Sequence, residues 1–461
     1  MSGPDTSDAT RKRKAHTKSR KGCANCKLRR VKCDESKPSC EKCQSYGVSC
    51  SYDGGDAISE LQHAGEAAFF MESFNGATTQ LPTPEQDRMQ DMMGHIDQTT
   101  PKQMPVPNIV PHLPPSPPGE AILGLLDHPL ALHDTDEVYK CTERDLDRLT
   151  RFHERTVLTI GTAQTVHVWR DSIMSLGIHH DYVTHIIFTL VLMHDRYLSD
   201  DPWQSPSTEE IFHHYHGTAI FNKMLSGPLE HTEKDAMWAA AALLGAITIA
   251  AVDAKTPEES WPLKADNVQD LDWLRMSDGK KEVWRLADPL REDSIWRPAL
   301  QFQFDKDPPA QGRRAELNPL VPILVRLCGY DSTSDGTGNP YHTAASIVIR
   351  LLPIQCTHST ILYFLSFIGH MEPEFKALLH RKDERALLLL AWWYAKMLDY
   401  PSWWLQRRAQ LECKSICIYL ARRYWQVTDV GRLLDFPKMM CGLAVSIEFS
   451  AAVDRARSSM V

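Results

Sequence analysis

The sequence predicts a chain in three parts: a small metal-stabilised module, a disordered proline-rich linker, and a large all-α domain. Three observations carry this. Six of the twelve cysteines fall within residues 23–50. Ten prolines crowd the stretch from Pro82 to Pro118. From about residue 121 apolar residues recur at helical spacing, with no alternating strand run and no βαβ rhythm. The expected boundaries are 1–22 for a basic arm, 23–50 for the metal module, 51–120 for the linker and 121–461 for the helical domain.

Charge divides along the same lines. The chain of 461 residues carries a net −8, yet residues 11–43 hold thirteen Lys/Arg against three Asp/Glu. A basic head on an acidic body suggests a polyanion-binding module joined to a part with another task. The N-terminus is polar and basic, without the apolar run of a secretory signal. The longest uncharged apolar run, Ala236–Val252, has 17 residues. A membrane span needs about 20, so this run is expected to be a buried helix and no membrane span is expected. A reducing, intracellular setting is expected in turn, in which clustered cysteines bind metal more often than they pair.

The metal module rests on Cys23, Cys26, Cys33, Cys40, Cys43 and Cys50. The spacing C-x2-C-x6-C occurs twice with a period of 17, as CANCKLRRVKC and CEKCQSYGVSC. Each C-x2-C pair lets two thiolates grip one ion from a tight turn, and the third cysteine folds back to the same ion. Structural zinc is tetrahedral. Two ions need eight ligand positions and six thiolates supply six, so two sulfurs must bridge both ions. The symmetry of the repeat makes an equivalent pair the natural bridge, such as Cys23 and Cys40. The only large apolar residues nearby are Leu28, Val31, Tyr46, Val48 and Tyr52, too few for a core, so the metal must hold the fold.

The six cysteines, the stretch Lys27-Leu28-Arg29-Arg30-Val31-Lys32-Cys33-Asp34, and Pro38 ahead of Cys40 closely resemble the fungal Zn2Cys6 binuclear cluster family. The resemblance covers about 30 residues. It implies two Zn²⁺ per chain, a nuclear transcription regulator, and double-stranded DNA with CGG triplets as partner. It also implies a short helix after the second cysteine, aimed at the triplet, whose base-contacting positions match Arg29 and Arg30. Arg30 is the main expected base reader, because arginine pairs well with guanine O6 and N7 in the major groove. Arg20, Lys21, Lys27 and Lys32 are expected at phosphates, where they set orientation and give salt-dependent affinity. The loop of the second half, QSYGVS, carries no charge, so only the first half is built to approach DNA. The run RKRK at 11–14 reads as a nuclear-localisation signal.

The linker lacks the sustained heptads of a coiled coil, so a homodimer would have to form elsewhere. Its prolines, including Pro114-Pro115-Ser116-Pro117-Pro118, make an extended spacer.

In the body, Thr142-x-x-Asp145 has the form of a capping box, and Thr232-x-x-Asp235 is expected to open the apolar helix. Residues 181–198 and 207–226 show helical periodicity, the latter through Ile211, Tyr215, Phe221 and Leu225 after Ser/Thr caps. Further helices are expected near 318–328, 341–352, 358–370, 374–399 and 402–425. EIFHHYHGTAIFNKMLSG, AMWAAAALLGAITIAAV and the tryptophan-rich stretch ALLLLAWWYAKMLDYPSWWLQRRAQLECKSICIYL make the body similar to the regulatory domain of sterol uptake control-type regulators. That resemblance implies an all-helical fold able to dimerise and, in sterol-sensing members, to enclose an apolar ligand; transcription co-regulators are expected as further partners. A charged insertion around 276–315 departs from it. Trp392, Trp393, Met397, Trp403 and Trp404 suit either a sterol-like wall or ordinary packing between helices. No catalytic motif is present: no H-E-x-x-H, no phosphate-binding glycine loop, no G-x-S-x-G. No enzyme is expected. His213, His214 and His216 are expected at the surface or at helix ends, as are His179 and His180. The six cysteines outside the module are expected to be buried as small apolar residues.

Overall fold

The computed structural model describes residues 21–23, 26, 32–37, 40, 52, 129–133, 135–267, 269–304, 317, 319–334, 336–400, 402–424 and 428–458. The chain forms two compact units, Met1–Glu72 and Ser73–Val461. Of the expected linker only Tyr52 lies among the described residues.

In the second unit the described residues form fifteen α-helices and one two-stranded ribbon. The ribbon, β1 (Leu130–Ala131) against β2 (Val138–Tyr139), is antiparallel. The helices are α1 (Glu143–Arg151), α2 (Val166–His179), α3 (Asp181–Leu198), α4 (Thr208–Leu225), α5 (Lys234–Ala250), α6 (Asp272–Ala287) and α7 (Arg297–Phe304). After these come α8 (Val321–Cys328), α9 (His342–Leu351), α10 (Ile361–Gly369), α11 (Pro373–His380), α12 (Glu384–Met397), α13 (Trp403–Tyr424), α14 (Thr428–Met440) and α15 (Ile447–Ser458). A π-turn at Phe152–Thr156 and a 3-10 turn at Val157–Thr159 extend α1. No described helix is long and apolar enough to cross a membrane.

The all-α expectation holds, and α5 shows why. Its residues are apolar on nearly every side, so it must be enclosed by other helices. It packs against α3, α6 and α13. On one side α3 gathers α1, α2 and α4; on the other α13 packs against α12 and α14.

The end of α5 has a specific device. A helix leaves its last carbonyls without partners. The Arg408 guanidinium on α13 donates to the carbonyls of Ile249 (2.9 Å), Ala251 (2.9 Å) and Thr248 (3.3 Å). It also pairs with Glu412, stacks on the Trp273 ring, and Glu412 accepts from the Tyr394 hydroxyl. Arg408 and Glu412 are both buried. Removing one member of such a pair strands its partner at a cost of about 3–5 kcal/mol. Arg408→Met is expected to lower the unfolding free energy by that amount, read by tryptophan fluorescence in a denaturant titration. Adding Glu412→Leu should recover part of the loss.

Several expectations need correction. The Thr142 capping box is present, with the Asp145 carboxylate accepting from the Thr142 backbone and hydroxyl. Thr232, however, does not cap α5. A 3-10 turn precedes α5, boxed by Glu230 and Glu233. Asp235 instead accepts from Ser294 at 2.8 Å and pairs with Arg291 at 2.8 Å. Residues 374–399 split into α11 and α12, because Lys382 turns left-handed (φ 55°) and Asp383 accepts from the N–H groups of Arg385 and Ala386. The charged insertion is partly regular, since α6 and α7 lie in or overlap it.

The fourth helix is turned relative to its expected face. Phe221 is buried as expected, but Ile211 and Tyr215 are exposed, while Glu210, His213 and His216 are buried. Gly217 explains this. A Cβ there would meet Ile186 and His185 of α3 at 3.1–3.2 Å. The close approach of α3 and α4 needs a residue without a side chain at that point, and this sets which face of α4 turns inward. Glu210 is then neutralised by a bidentate pair with Arg196 at 2.7 and 3.0 Å.

Candidate metal centre

The described cysteines of the first unit converge. The Sγ atoms of Cys23, Cys26, Cys33 and Cys40 all lie within 4.8 Å of one another. Cys40 Sγ is 3.8 Å from Cys23 Sγ and 3.6 Å from Cys26 Sγ. A disulfide would need about 2.05 Å, so these sulfurs are not bonded to one another. A tetrahedral ion with bonds of about 2.3 Å places its sulfurs about 3.8 Å apart. The spacing and the soft donor chemistry therefore fit a thiolate-bound zinc ion.

The membership of the quartet is informative. It takes three cysteines from the first half of the repeat and one, Cys40, from the second. Four sulfurs complete one tetrahedral sphere, and Cys40 reaches across to supply the fourth. Cys43 and Cys50 lie outside the described residues.

The local backbone is shaped for this convergence. Gly22 lets the entering chain pass close to Cys33; a Cβ there would sit 3.0 Å from the Cys33 Cβ. Glu35 adopts a left-handed φ of 64°, and its N–H points back at Cys33 Sγ, 3.4 Å away. The Cys26 N–H likewise donates to Cys23 Sγ at 3.4 Å. Tyr52 packs against the four thiols, its hydroxyl 3.6 Å from Cys33 Sγ and donating to the Ser36 carbonyl at 3.0 Å. Lys37 sits over its ring. Sequence reading noted Tyr52 only as one of few apolar residues; the structure makes it the lid of the thiol cluster. Burial and hydrogen bonds with Cys23 and Cys40 push the Cys26 thiol up to about 12. Burial also opposes ionisation of Cys33, but backbone and Tyr52 hydrogen bonds outweigh it and bring Cys33 down to about 7.

Residues 21–56 match the fungal Zn(2)-Cys(6) binuclear cluster domain.

The cluster domain implies two zinc ions. The similarity to curated proteins runs over short segments. Sterol uptake control protein 2 of Saccharomyces cerevisiae is 59% identical over 44 residues, 10% of this chain and 5% of that protein. A Zn(2)-C6 fungal-type transcription factor of Gibberella zeae is 47% identical over 49 residues, 11% of this chain and 10% of its own length. The transcription factor afumD of Aspergillus fumigatus is 58% identical over 41 residues, 9% of this chain and 11% of its own. The chain thus covers about a tenth or less of these relatives, and none of these matches is long enough to span the helical body. No solved structure matches the chain.

The cationic residues expected at DNA divide. Lys21 and Lys32 are exposed beside the thiol cluster. Arg20, Lys27, Arg29 and Arg30 lie outside the described residues, as does the arm at 11–14.

In the body the tryptophans are packing residues. The indole N–H of Trp392 donates to the Leu433 carbonyl at 2.9 Å and that of Trp393 to the Phe364 carbonyl at 2.8 Å. The first bond has a clear cause: Pro437 inside α14 has no N–H, which frees the carbonyl four residues earlier. Trp403 and Trp404 both donate to Thr159, fastening the start of α13 to the turn after α1. All four side chains and Met397 are buried. An apolar-ligand wall gains no support from them.

Two clusters escaped sequence reading. The histidines of α4 are not surface residues. His213 and His216 are buried, His214 is partly buried, and His213 Nδ1 lies 2.9 Å from Nδ1 of buried His185 on α3. His216 Nδ1 accepts from the His133 backbone N–H at 3.0 Å, which ties the β ribbon to α4. His179 and His180 do lie at a helix junction, the end of α2 and the cap of α3. Secondly, Cys413, Cys417 and Cys441 are buried as expected, but they also meet, with Sγ atoms within 4.8 Å of one another. Burial pushes the Cys413 and Cys417 thiols well above the usual range, while hydrogen bonds with both lower that of Cys441. The four-residue spacing on one helix was readable; the third member, 24 residues further on, depends on how α14 packs.

Proposed function

We propose that this chain is a sequence-specific DNA-binding regulator of RNA polymerase II transcription that acts in the nucleus. The observation that carries the reading is a four-thiol, zinc-sized cluster inside a segment that holds thirteen Lys/Arg among residues 11–43. A rigid cationic module of this kind binds the phosphate backbone and presents a few side chains to base edges. The names of the relatives, transcription factors and a sterol uptake control protein, support the same class.

In this reading Cys23, Cys26, Cys33, Cys40, Cys43 and Cys50 are the zinc ligands, and Cys23 and Cys40 bridge the two ions. That Cys40, from the second half of the repeat, joins the first-half cysteines supports its share in the bridge; the symmetry of the repeat supports Cys23. Arg30 reads bases of a CGG triplet, with Arg29 beside it. Arg20, Lys21, Lys27 and Lys32 hold phosphates, and the basic arm directs nuclear import. The acidic helical body contacts co-regulators, and activation is the favoured outcome.

Arg30→Ala tests the base-reading role. The zinc-loaded full chain is titrated with a CGG-containing duplex and with a scrambled duplex at fixed salt. Loss of a bidentate arginine–guanine contact removes about 1–3 kcal/mol of discrimination, so affinity for the CGG duplex should fall about 5- to 150-fold while scrambled DNA changes little. Lys21→Ala should weaken both alike and flatten the salt dependence. Equal losses on both duplexes for Arg30→Ala would refute base reading.

A further inference from the structure

We propose that Cys413, Cys417 and Cys441 form a second thiol site, separate from the zinc module, that takes a soft three-coordinate centre of the chemical class of trivalent arsenic. Cys413 and Cys417 stand one turn apart on α13, and Cys441 directly follows the last residue of α14. A trivalent centre is pyramidal, because a lone pair takes the fourth direction; with sulfur bonds of about 2.3 Å, the length zinc makes, and angles a little above about 90° it sets its sulfurs about 3.4 Å apart. The three Sγ atoms already lie within 4.8 Å of one another. Thiolate sets select soft ions over hard ones, and no carboxylate or imidazole joins this one among the described residues.

Charge decides between candidate ions. All three cysteines are fully buried, at 0% exposure. Three thiolates around a divalent ion would leave one negative charge in that interior, which is costly. The thiols also face backbone oxygens: Cys413 points at the carbonyls of Ala391 and Pro437 (3.7 Å each), and Cys441 at that of Lys438 (3.5 Å). Those dipoles oppose a residual anion. The hydrogen bonds to Cys441 and the nearby Lys414 and Lys438 favour one thiolate in the set. Burial of all three sulfurs weighs against any charge left over after binding. A trivalent centre with three thiolates is neutral.

The exchange balances without an oxidant. Arsenite enters as As(OH)3. Three As–S bonds form and three As–O bonds break, and each thiol proton leaves with a hydroxide as water. Arsenic stays trivalent and the sulfurs are not oxidised. Open space adjoins the cluster at Gly442, next to Cys441, where nothing lies within 4 Å of the position a Cβ would take; entry to the buried sulfurs requires the end of α14 to open. Binding would clamp α13 to α14 and raise the thermal stability of the body.

The test uses the zinc-loaded full chain, arsenite as the probe, and native mass spectrometry with parallel melting by tryptophan fluorescence. The wild type should take up one arsenic with loss of three waters, retain both zinc ions, and melt higher. Cys441→Ala and Cys417→Ala, each shown to be folded by its own melting transition, should take up none and show no shift. Cys328→Ala, which removes a buried cysteine outside the cluster, should behave as wild type. Should one of the first two variants fail to fold, the other carries the test. Absence of arsenic in the wild type overturns the proposal. So does uptake that persists in the folded Cys441→Ala or Cys417→Ala chain, or that occurs only with loss of zinc, which would place the arsenic in the cluster domain. The outcome is independent of DNA binding.

Discussion

Removing zinc from the full-length chain is expected to unfold the cluster domain and abolish specific DNA binding while leaving the body intact. Apart from Tyr52, the described residues around the four thiols bring no large apolar side chain into the cluster. Among the described residues the metal is then the main term that can offset the conformational entropy of ordering this segment. Structural zinc contributes on the order of 10–16 kcal/mol apparent at neutral pH in small zinc modules, well above what one aromatic side chain supplies. The check uses a convenient asymmetry. All twelve tryptophans lie between Trp169 and Trp425, so their fluorescence reports the body alone. After chelation the tryptophan melting curve should be unchanged. Trypsin should now cut rapidly within residues 23–50, where six Lys/Arg stand. Metal analysis before treatment should give two zinc ions per chain. Continued protease protection of the metal-free segment would show that the thiol cluster holds itself together and that the reading of this module is wrong.

Acidification is expected to destabilise the body over a range where most carboxylates remain charged. Three buried histidines are held neutral. Burial lowers His185 to about 4, His194 to about 3 and His213 to about 3, with nearby Arg155 adding to the effect on His194 and His185 to that on His213. The ordinary value is 6.5. Between these values the unfolded chain binds more protons than the folded one, so stability must fall as pH falls. The contribution is complete above about pH 6.5 and is lost as pH drops towards the folded values. At about pH 5 each histidine costs about 2 kcal/mol, and the His185–His213 contact cannot survive protonation of both rings, since one must accept what the other donates. Tryptophan-detected unfolding free energies at about pH 7 and pH 5 should therefore differ by several kcal/mol. His194→Gln should reduce that difference by about one histidine's share. A stability that stays flat over this range would contradict the burial of these rings.

Legibility differed between the two units for a physical reason. A zinc ion demands a set number of sulfurs at a set distance, and short chain segments satisfy that demand only with certain spacings. The repeat of Cys23, Cys26 and Cys33 by Cys40, Cys43 and Cys50 therefore announces its own geometry, and four members of it converge as expected. In the body, helices whose neighbours matter little were visible too. The apolar run of α5, the capping box at Thr142 and the cap of α4 at Ser207, whose hydroxyl accepts from the Glu210 N–H at 3.1 Å, depend on residues within a turn or two. Less visible were α2, α6, α7, α14 and α15, whose local patterns are weak and whose formation draws on packing by other helices.

Sequence by itself determined the order of parts, the metal chemistry of residues 23–50, the division of charge between head and body, and the all-helical character of the body. Each is set by composition or by contacts within a few residues. Only the tertiary structure decided which face of α4 turns inward, that three distant sulfurs meet beneath α14, and that Arg408 closes the end of α5 from another helix. Those outcomes join residues tens to hundreds of positions apart. They are chosen by shape, as where Gly217 admits α3, and by the need of buried charges and orphan carbonyls for partners, constraints that no periodicity along the chain records.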